Sequence, residues 1–251
     1  AVSPCGAWLL TWGHRSSVSL WDADTGASLG TIRGHIPATS AVRIFPTGSR
    51  IATAGMDKRA CVWDAASRKR LAVMPHDSHV KCVEVMPGGG VVVTIATIGT
   101  AALWDASSGA LLRKLWRSGS VAFHRCLGAA IFPQGDRMLT YSATQVIVWN
   151  ISAGRPLRNF AMSPDYVRAV AVSPAGDFVA VCGADGELVV FSMSGQGMRG
   201  QRLVSPFRRA SGPGRSRAPC FVRTAWGGAL DHEGFGNEFG MWEIPRLVVG
   251  H

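Results

Sequence analysis

Apolar and polar positions alternate in short runs along most of this chain. Residues 50–55 read Arg-Ile-Ala-Thr-Ala-Gly and residues 59–63 read Arg-Ala-Cys-Val-Trp, with Met56-Asp57-Lys58 between them. Period-two alternation, β-branched content and Pro/Gly/Asp punctuation predict short strands joined by tight turns. No stretch holds a helical period over ten or more residues. The longest apolar run, 91–98, is broken by Thr94 and Thr97 and has the length of a strand. It falls well short of the roughly 18 residues that a bilayer-spanning helix needs.

The pattern repeats. An apolar–Trp–Asp step occurs at Trp21-Asp22, Trp63-Asp64 and Trp104-Asp105, with Trp149-Asn150 in register and weaker copies at Phe191-Ser192 and Trp242-Glu243. The intervals between these aromatics are 42, 41, 45, 42 and 51 residues. A second marker keeps step with the first: a β-type run ending in proline and then glycine, as in Ile44-Phe45-Pro46-Thr47-Gly48 and Val85-Met86-Pro87-Gly88. From Pro4, Pro46, Pro87, Pro133 and Pro174 to the next aromatic marker is always 16 or 17 residues. Within each interval the pattern gives strand, turn, strand, turn and a fourth short strand. Four antiparallel strands per repeat are the unit of a β-propeller blade.

The period, the Gly34-His35 step and the Trp-Asp step make the sequence resemble the WD-repeat β-propeller family over nearly its whole length. The fold expected is all-β, a propeller of four-stranded antiparallel blades. The units fall near 1–35, 36–76, 77–118, 119–162, 163–206 and 207–251. The first residues match the second half of an inner strand, and Gly250-His251 matches the step that opens a unit. The expectation is therefore six units cut from a longer array.

The second unit carries the fullest match. The resemblance implies that His35, Thr53, Asp57 and Trp63 form a buried hydrogen-bond network that fixes the strands of the blade. Physics agrees, because a buried His or Asp is tolerable only when paired, and an indole N–H also needs an acceptor. In the third unit His76 stands in the His35 place, but Ile98 replaces the turn Asp, so this network is expected to be incomplete. In the fifth unit Asp185 fills the turn while Ser163 takes the His place. These are scaffold residues rather than catalytic ones.

By the same resemblance, the working surface is the end of the ring where the loops before the inner strands meet the turns between second and third strands. Mapped onto this sequence, that gives Ser40 and Met56 in the second unit and His79, Lys81 and Thr97 in the third. The fifth supplies Tyr166, Arg168 and Ala184. Arg, Tyr and Met are the residue types that anchor interfaces.

Charge adds a second theme. The formal net charge is +10, carried by 22 Arg and only 4 Lys. That bias accompanies 30 Gly and fits a GC-rich codon supply as well as a basic surface. It concentrates at 199–223, where Arg199, Arg202, Arg208, Arg209, Arg215, Arg217 and Arg223 occur with no acidic residue. Residues 196–219 read as a fourth strand followed by a long basic loop, a segment able to contact the phosphates of a polyanion. Arg208-Arg209-Ala210-Ser211 also has the form of a basophilic phosphorylation site, which would place phosphate on Ser211.

No chemistry-bearing motif is present: no G-x-S-x-G, no phosphate-binding loop and no H-E-x-x-H. Asp231-His232-Glu233 would send adjacent side chains to opposite faces if it lay on a strand, so it would not converge on one metal, and it reads as a degenerate turn of the last unit. A channel enzyme would need several carboxylates or histidines on the inner strands, which supply only Glu84. The six cysteines form no C-x-x-C pair and no zinc spacing, and read as buried thiols in a reducing compartment. No secretory signal is recognisable. The reading is a non-catalytic scaffold for protein–protein interactions within an intracellular complex, cytoplasmic or nuclear, with no metal or cofactor. The alternative is an RNA- or ribonucleoprotein-binding propeller using the Arg-rich loop.

Overall fold

The computed structural model describes residues 1–12, 17–97, 100–115, 126–162, 167–183, 188–193 and 200–203. These residues form strands and turns, with no helix among them.

The strands gather into five antiparallel sheets in which each strand pairs with the next along the chain. The first sheet holds β1 (Trp8–Trp12), β2 (Ser17–Asp22) and β3 (Ser28–Arg33). Val2 bridges to Leu9 beside it, in the place of an inner strand. The second sheet holds β4 (Thr39–Ile44), β5 (Arg50–Gly55), β6 (Arg59–Asp64) and β7 (Arg70–Pro75). The third holds β8 (Val80–Val85), β9 (Val91–Ala96), β10 (Ala101–Asp105) and β11 (Leu111–Leu115). The fourth holds β12 (Gly128–Ile131), β13 (Arg137–Tyr141), β14 (Gln145–Asn150) and β15 (Arg155–Ala161). The fifth holds β16 (Val167–Val172), β17 (Phe178–Gly183), β18 (Leu188–Ser192) and β19 (Gly200–Leu203). These are the blades of an all-β propeller.

The core lies between blades. Leu10, Val18 and Ile32 of the first blade pack with Val42, Ile51 and Trp63 of the second. Val62 and Met74 meet Val83, Val92 and Trp104 of the third. Val93 and Ile95 meet Met138, Ile147 and Trp149 of the fourth, whose Leu139 and Val148 meet Val170, Val179 and Val181 of the fifth. The second, third and fourth blades therefore bury both faces, which is why β5 and β9 read as nearly continuous apolar runs. Each such side chain contributes about 1.5–3 kcal/mol on burial.

Two irregularities recur at equivalent places. Between the first and second strands of a blade, the register skips Ser40, Lys81 and Arg168. Between third and fourth strands it skips Leu29, Leu71, Leu112 and Leu157. Each is a β-bulge, which turns one side chain out of the ladder and sharpens the local twist. The inner strands accordingly start one or two residues earlier than simple alternation predicts.

One correction concerns the sequence reading. Cys5, Cys61, Cys82 and Cys126 are free thiols, but Cys182 is disulfide-bonded, so the cysteines are not uniformly reduced. Of the basic stretch 196–219, only the backbone of β19 is described. The sixth unit, 207–251, and the closing of the ring lie outside the described residues.

Candidate functional site

The rigid part of each blade positions its loops. In the second blade His35 is 1% exposed. Its Nδ1–H donates to Asp57 Oδ1 at 2.8 Å, since a carboxylate can only accept. Its Nε2 therefore takes the hydroxyl proton of Thr53 at 2.7 Å. Thr53 Oγ1 in turn accepts the indole N–H of Trp63 at 2.8 Å. The chain of donors and acceptors links the loop before β4 to β5, the β5–β6 turn and β6, with every polar group satisfied.

This network also dictates two glycines. A Cβ on Gly34 would come within 2.3 Å of the Trp63 ring. A Cβ on Gly55 would come within 2.3 Å of His35 and 2.5 Å of Asp57. Both must lack a side chain for the network to close.

In the third blade the network takes a different partner. His76 Nε2 accepts from Thr94 at 2.7 Å, and Trp104 donates to the same hydroxyl at 2.7 Å. The Nδ1–H turns to the backbone carbonyl of Met74 at 2.9 Å. A main-chain oxygen thus replaces the missing carboxylate, and the network is complete rather than broken. The ring lies 4.9 Å from that of Trp104, and burial holds the His76 pKa below its ordinary value.

The indole–hydroxyl pair extends to the first and fourth blades. Trp21 donates to Thr11 at 2.8 Å and Trp149 to Thr140 at 2.9 Å. In the fifth blade Phe191 occupies the Trp register, paired with Val179, and the threonine register is Val181. The donor and the acceptor are both gone. The sequence reading picked out Thr53 alone, although a threonine stands nine or ten residues before Trp21, Trp63, Trp104 and Trp149.

The Asp of the Trp-Asp step has a separate task. Asp22, Asp64 and Asp105 each accept, through Oδ1, the backbone N–H and the hydroxyl of the residue three positions on: Thr25, Ser67 and Ser108. These bonds hold all three carboxyls below the usual carboxylate range, led by the hydroxyl bond for Asp22 and Asp64 and the backbone bond for Asp105. The step therefore caps the turn into the fourth strand and does not join the histidine network.

The candidate surface sits at the opposite end of the blades from those turns. Ser40, Lys81 and Arg168 are the bulge residues that open β4, β8 and β16, with Lys81 and Arg168 exposed and Ser40 half-buried. Met56 follows β5 and is 44% exposed; its N–H donates to Ala38 O at 3.1 Å, which fixes it beside the loop before β4. Thr97 donates through N–H and hydroxyl to His79 O at 2.8 and 2.9 Å. His79 is exposed. These six residues share one end of the blades. Tyr166 and Ala184 lie outside the described residues, as do Arg199, Arg208, Arg209, Arg215, Arg217 and Ser211. Arg202 is placed only by its backbone, opposite Val189.

Ile36 belongs to this end and was not singled out from the sequence. It is 79% exposed, two residues from the Ala38 carbonyl that holds Met56. An isoleucine directly after the Gly-His step, outside any strand, was the signal available.

Within the described inner strands the one carboxylate, Glu84, is spent on structure. It receives Arg43 Nε at 3.0 Å and Nη2 at 2.8 Å, a two-point bond that ties β8 to β4. Among the described residues no group of three or more His, Cys, Asp or Glu is placed to hold a metal ion. No helix among them is long and apolar enough to cross a membrane.

Comparison with known proteins bears on this geometry. Residues 26–64 and 154–192 match the family described as "WD domain, G-beta repeat". Both stretches span a fourth strand and the first three strands of a blade, or the equivalent interval one marker to the next. These two stretches carry WD repeats. The chain is similar to proteins named serine-threonine kinase receptor-associated protein. The chicken (Gallus gallus) protein is 34% identical over 83 residues, and the human (Homo sapiens) and cattle (Bos taurus) proteins are 32% identical over the same length. Each match covers 33% of this chain and 24% of the relative, so the chain matches about a quarter of the length of these curated relatives.

Proposed function

We propose that this WD-repeat chain is a non-catalytic scaffold that binds partner proteins through the loop end carrying Ile36, Ser40, Met56, His79, Lys81, Thr97 and Arg168. The observation that carries the reading is the exposure of Ile36 and Met56, 79% and 44%, on adjoining loops held by a sealed polar network. Large apolar side chains displayed on a rigid frame lose little conformational freedom on binding, which favours association. Lys81 and Arg168 supply charged neighbours on the next blades. The similarity to receptor-associated WD-repeat proteins supports a protein partner. Binding rather than catalysis is further supported by the engagement of Glu84 with Arg43. An intracellular setting, cytoplasm or nucleus, is supported by the free, buried thiols of Cys61, Cys82 and Cys126, while the disulfide at Cys182 weighs against it.

The test is co-purification of the tagged protein from its own cells, with and without nuclease. A defined protein set that survives nuclease supports the scaffold. Loss of that set with nuclease, with RNA recovered in its absence, overturns the reading and makes 199–223 the binding segment.

A further inference from the structure

The two ends of the blades differ in charge. In an antiparallel blade the third strand ends where the second and fourth strands begin. At that end stand Asp22, Asp24, Asp64, Asp105, Asp136 and Asp177, among cations such as Lys69 and Arg155. Of the other carboxylates among the described residues, Glu84 is held by Arg43 and Asp57 accepts from His35. Only Asp77 is left at the end that carries Ile36 and Met56, and it lies 4.0 Å from Lys114.

The cations at that end have no such counterweight. Arg33 closes β3 three residues before Ile36, and Lys58 and Arg59 follow Met56 across the β5–β6 turn. Lys81 and Arg168 are the bulge residues of β8 and β16. All five side chains are exposed, and none enters an ion pair among the described residues. The backbone joins the nearest of them to the apolar pair. Met56 N–H donates to Ala38 O at 3.1 Å, and His76 N–H donates to Lys58 O at 2.9 Å. The turn that carries Met56 and Lys58 is thus fixed to the loop before β4 on one side and to the loop before β8 on the other. Ile36 and Met56 are the large apolar side chains exposed there among the described residues, and neither is an aromatic ring.

We propose, resting on the loop-end reading above, that the partner segment received here is acidic as well as apolar. Its large apolar side chains cover Ile36 and Met56, and neighbouring Asp or Glu side chains meet Arg33, Lys58 and Arg59. Water displaced from around the apolar contact strengthens the charge pairs beside it. A basic segment is repelled by the same cations, so the charge selects partners as well as attracting them. A nucleic acid strand would need stacking planes for its bases, whereas the apolar groups here are an isoleucine and a methionine. The opposite end, where carboxylates and cations are mixed, has no such preference.

The experiment is selection of a phage-displayed random dodecapeptide library on the immobilised 251-residue chain. The expected result is recovery of sequences with Leu, Ile, Met or Phe beside Asp or Glu. A synthetic consensus peptide, followed by fluorescence anisotropy, binds at least about tenfold more weakly when its acids become lysines. Arg33→Glu/Lys58→Glu produces a similar loss without moving the thermal midpoint. So does Ile36→Ser/Met56→Ser, which leaves the charge unchanged. Lys69→Glu/Arg70→Glu, at the opposite end, alters the net charge as much as Arg33→Glu/Lys58→Glu does and leaves binding as it was. Equal weakening by both charge-reversed variants overturns the proposal, since overall charge then suffices. Acid-poor sequences that still require Ile36 and Met56 also overturn it, while the loop end stands as an interaction surface. A consensus peptide indifferent to Ile36→Ser/Met56→Ser overturns both readings. Poly-uridine RNA or phosphatidylserine vesicles bound through Arg33 and Lys58, with no peptide recovered, overturn the acidic protein segment as the occupant.

Discussion

Trp149 donates its indole hydrogen to Thr140 across 2.9 Å, with the two side chains 0% and 1% exposed. The register that joins them recurs in four blades, and in the fifth Val181 and Phe191 remove both halves at once. The chain keeps the pair or loses it as a unit, because a buried indole N–H without an acceptor is costly. Thr140→Val should therefore destabilise the protein by roughly 1–3 kcal/mol. Adding Trp149→Phe should recover part of that loss, since no orphaned donor remains. Urea denaturation of the two single variants and the double variant measures the coupling.

Gly34 faces the Trp63 ring so closely that an added Cβ would sit 2.3 Å from it. Gly34→Ala must push the indole away from Thr53 or shift the loop. A loss of about 1–3 kcal/mol, of the size seen for overpacked cores, is expected. Thermal melting compared with Gly26→Ala, where nothing lies within 4 Å but φ is +69°, separates a clash from backbone strain.

His76 gives the fold a pH dependence with a definite sign. Burial keeps its folded pKa below the ordinary 6.5, so the folded state resists a proton that the unfolded chain accepts. Stability is full above pH 6.5 and falls as the pH drops from 6.5 toward the folded value. His76→Gln keeps an amide donor for Met74 and an acceptor for Thr94 but cannot titrate. Its stability between pH 7 and pH 5, measured by denaturant titration, should decline less than that of the natural protein.

Arg43 and Glu84 join the inner strands of the second and third blades by two parallel bonds. Their side chains are 31% and 12% exposed, between the surface and buried limits. A double-mutant cycle with Arg43→Met and Glu84→Gln should give a coupling of roughly 1–2 kcal/mol. A coupling near zero would mean that apolar packing alone joins these blades.

Much of the architecture is legible in the sequence because blades are built locally. Each strand pairs with its sequence neighbour, so alternation and turn residues place β5 at 50–55 directly. The bulges were not legible. Ser40, Lys81 and Arg168 interrupt the period of two, and a one-residue skip in a short strand resembles an ordinary end. The carbonyl of Met74 that serves His76 was also invisible, since a main-chain acceptor leaves no mark on residue type. For the loop surface, the family pattern selected Met56 but passed over Ile36. Its significance is its exposure, which depends on how the loop leaves the blade.

The most direct measurement is quantitative mass spectrometry of proteins that co-purify with the natural chain and with an Ile36→Asp/Met56→Asp variant of equal thermal stability, nuclease being present throughout. The scaffold account predicts that a defined set of proteins binds the natural chain and is lost from the variant. An identical set on both proteins would contradict it and remove this end of the blades as the interaction surface.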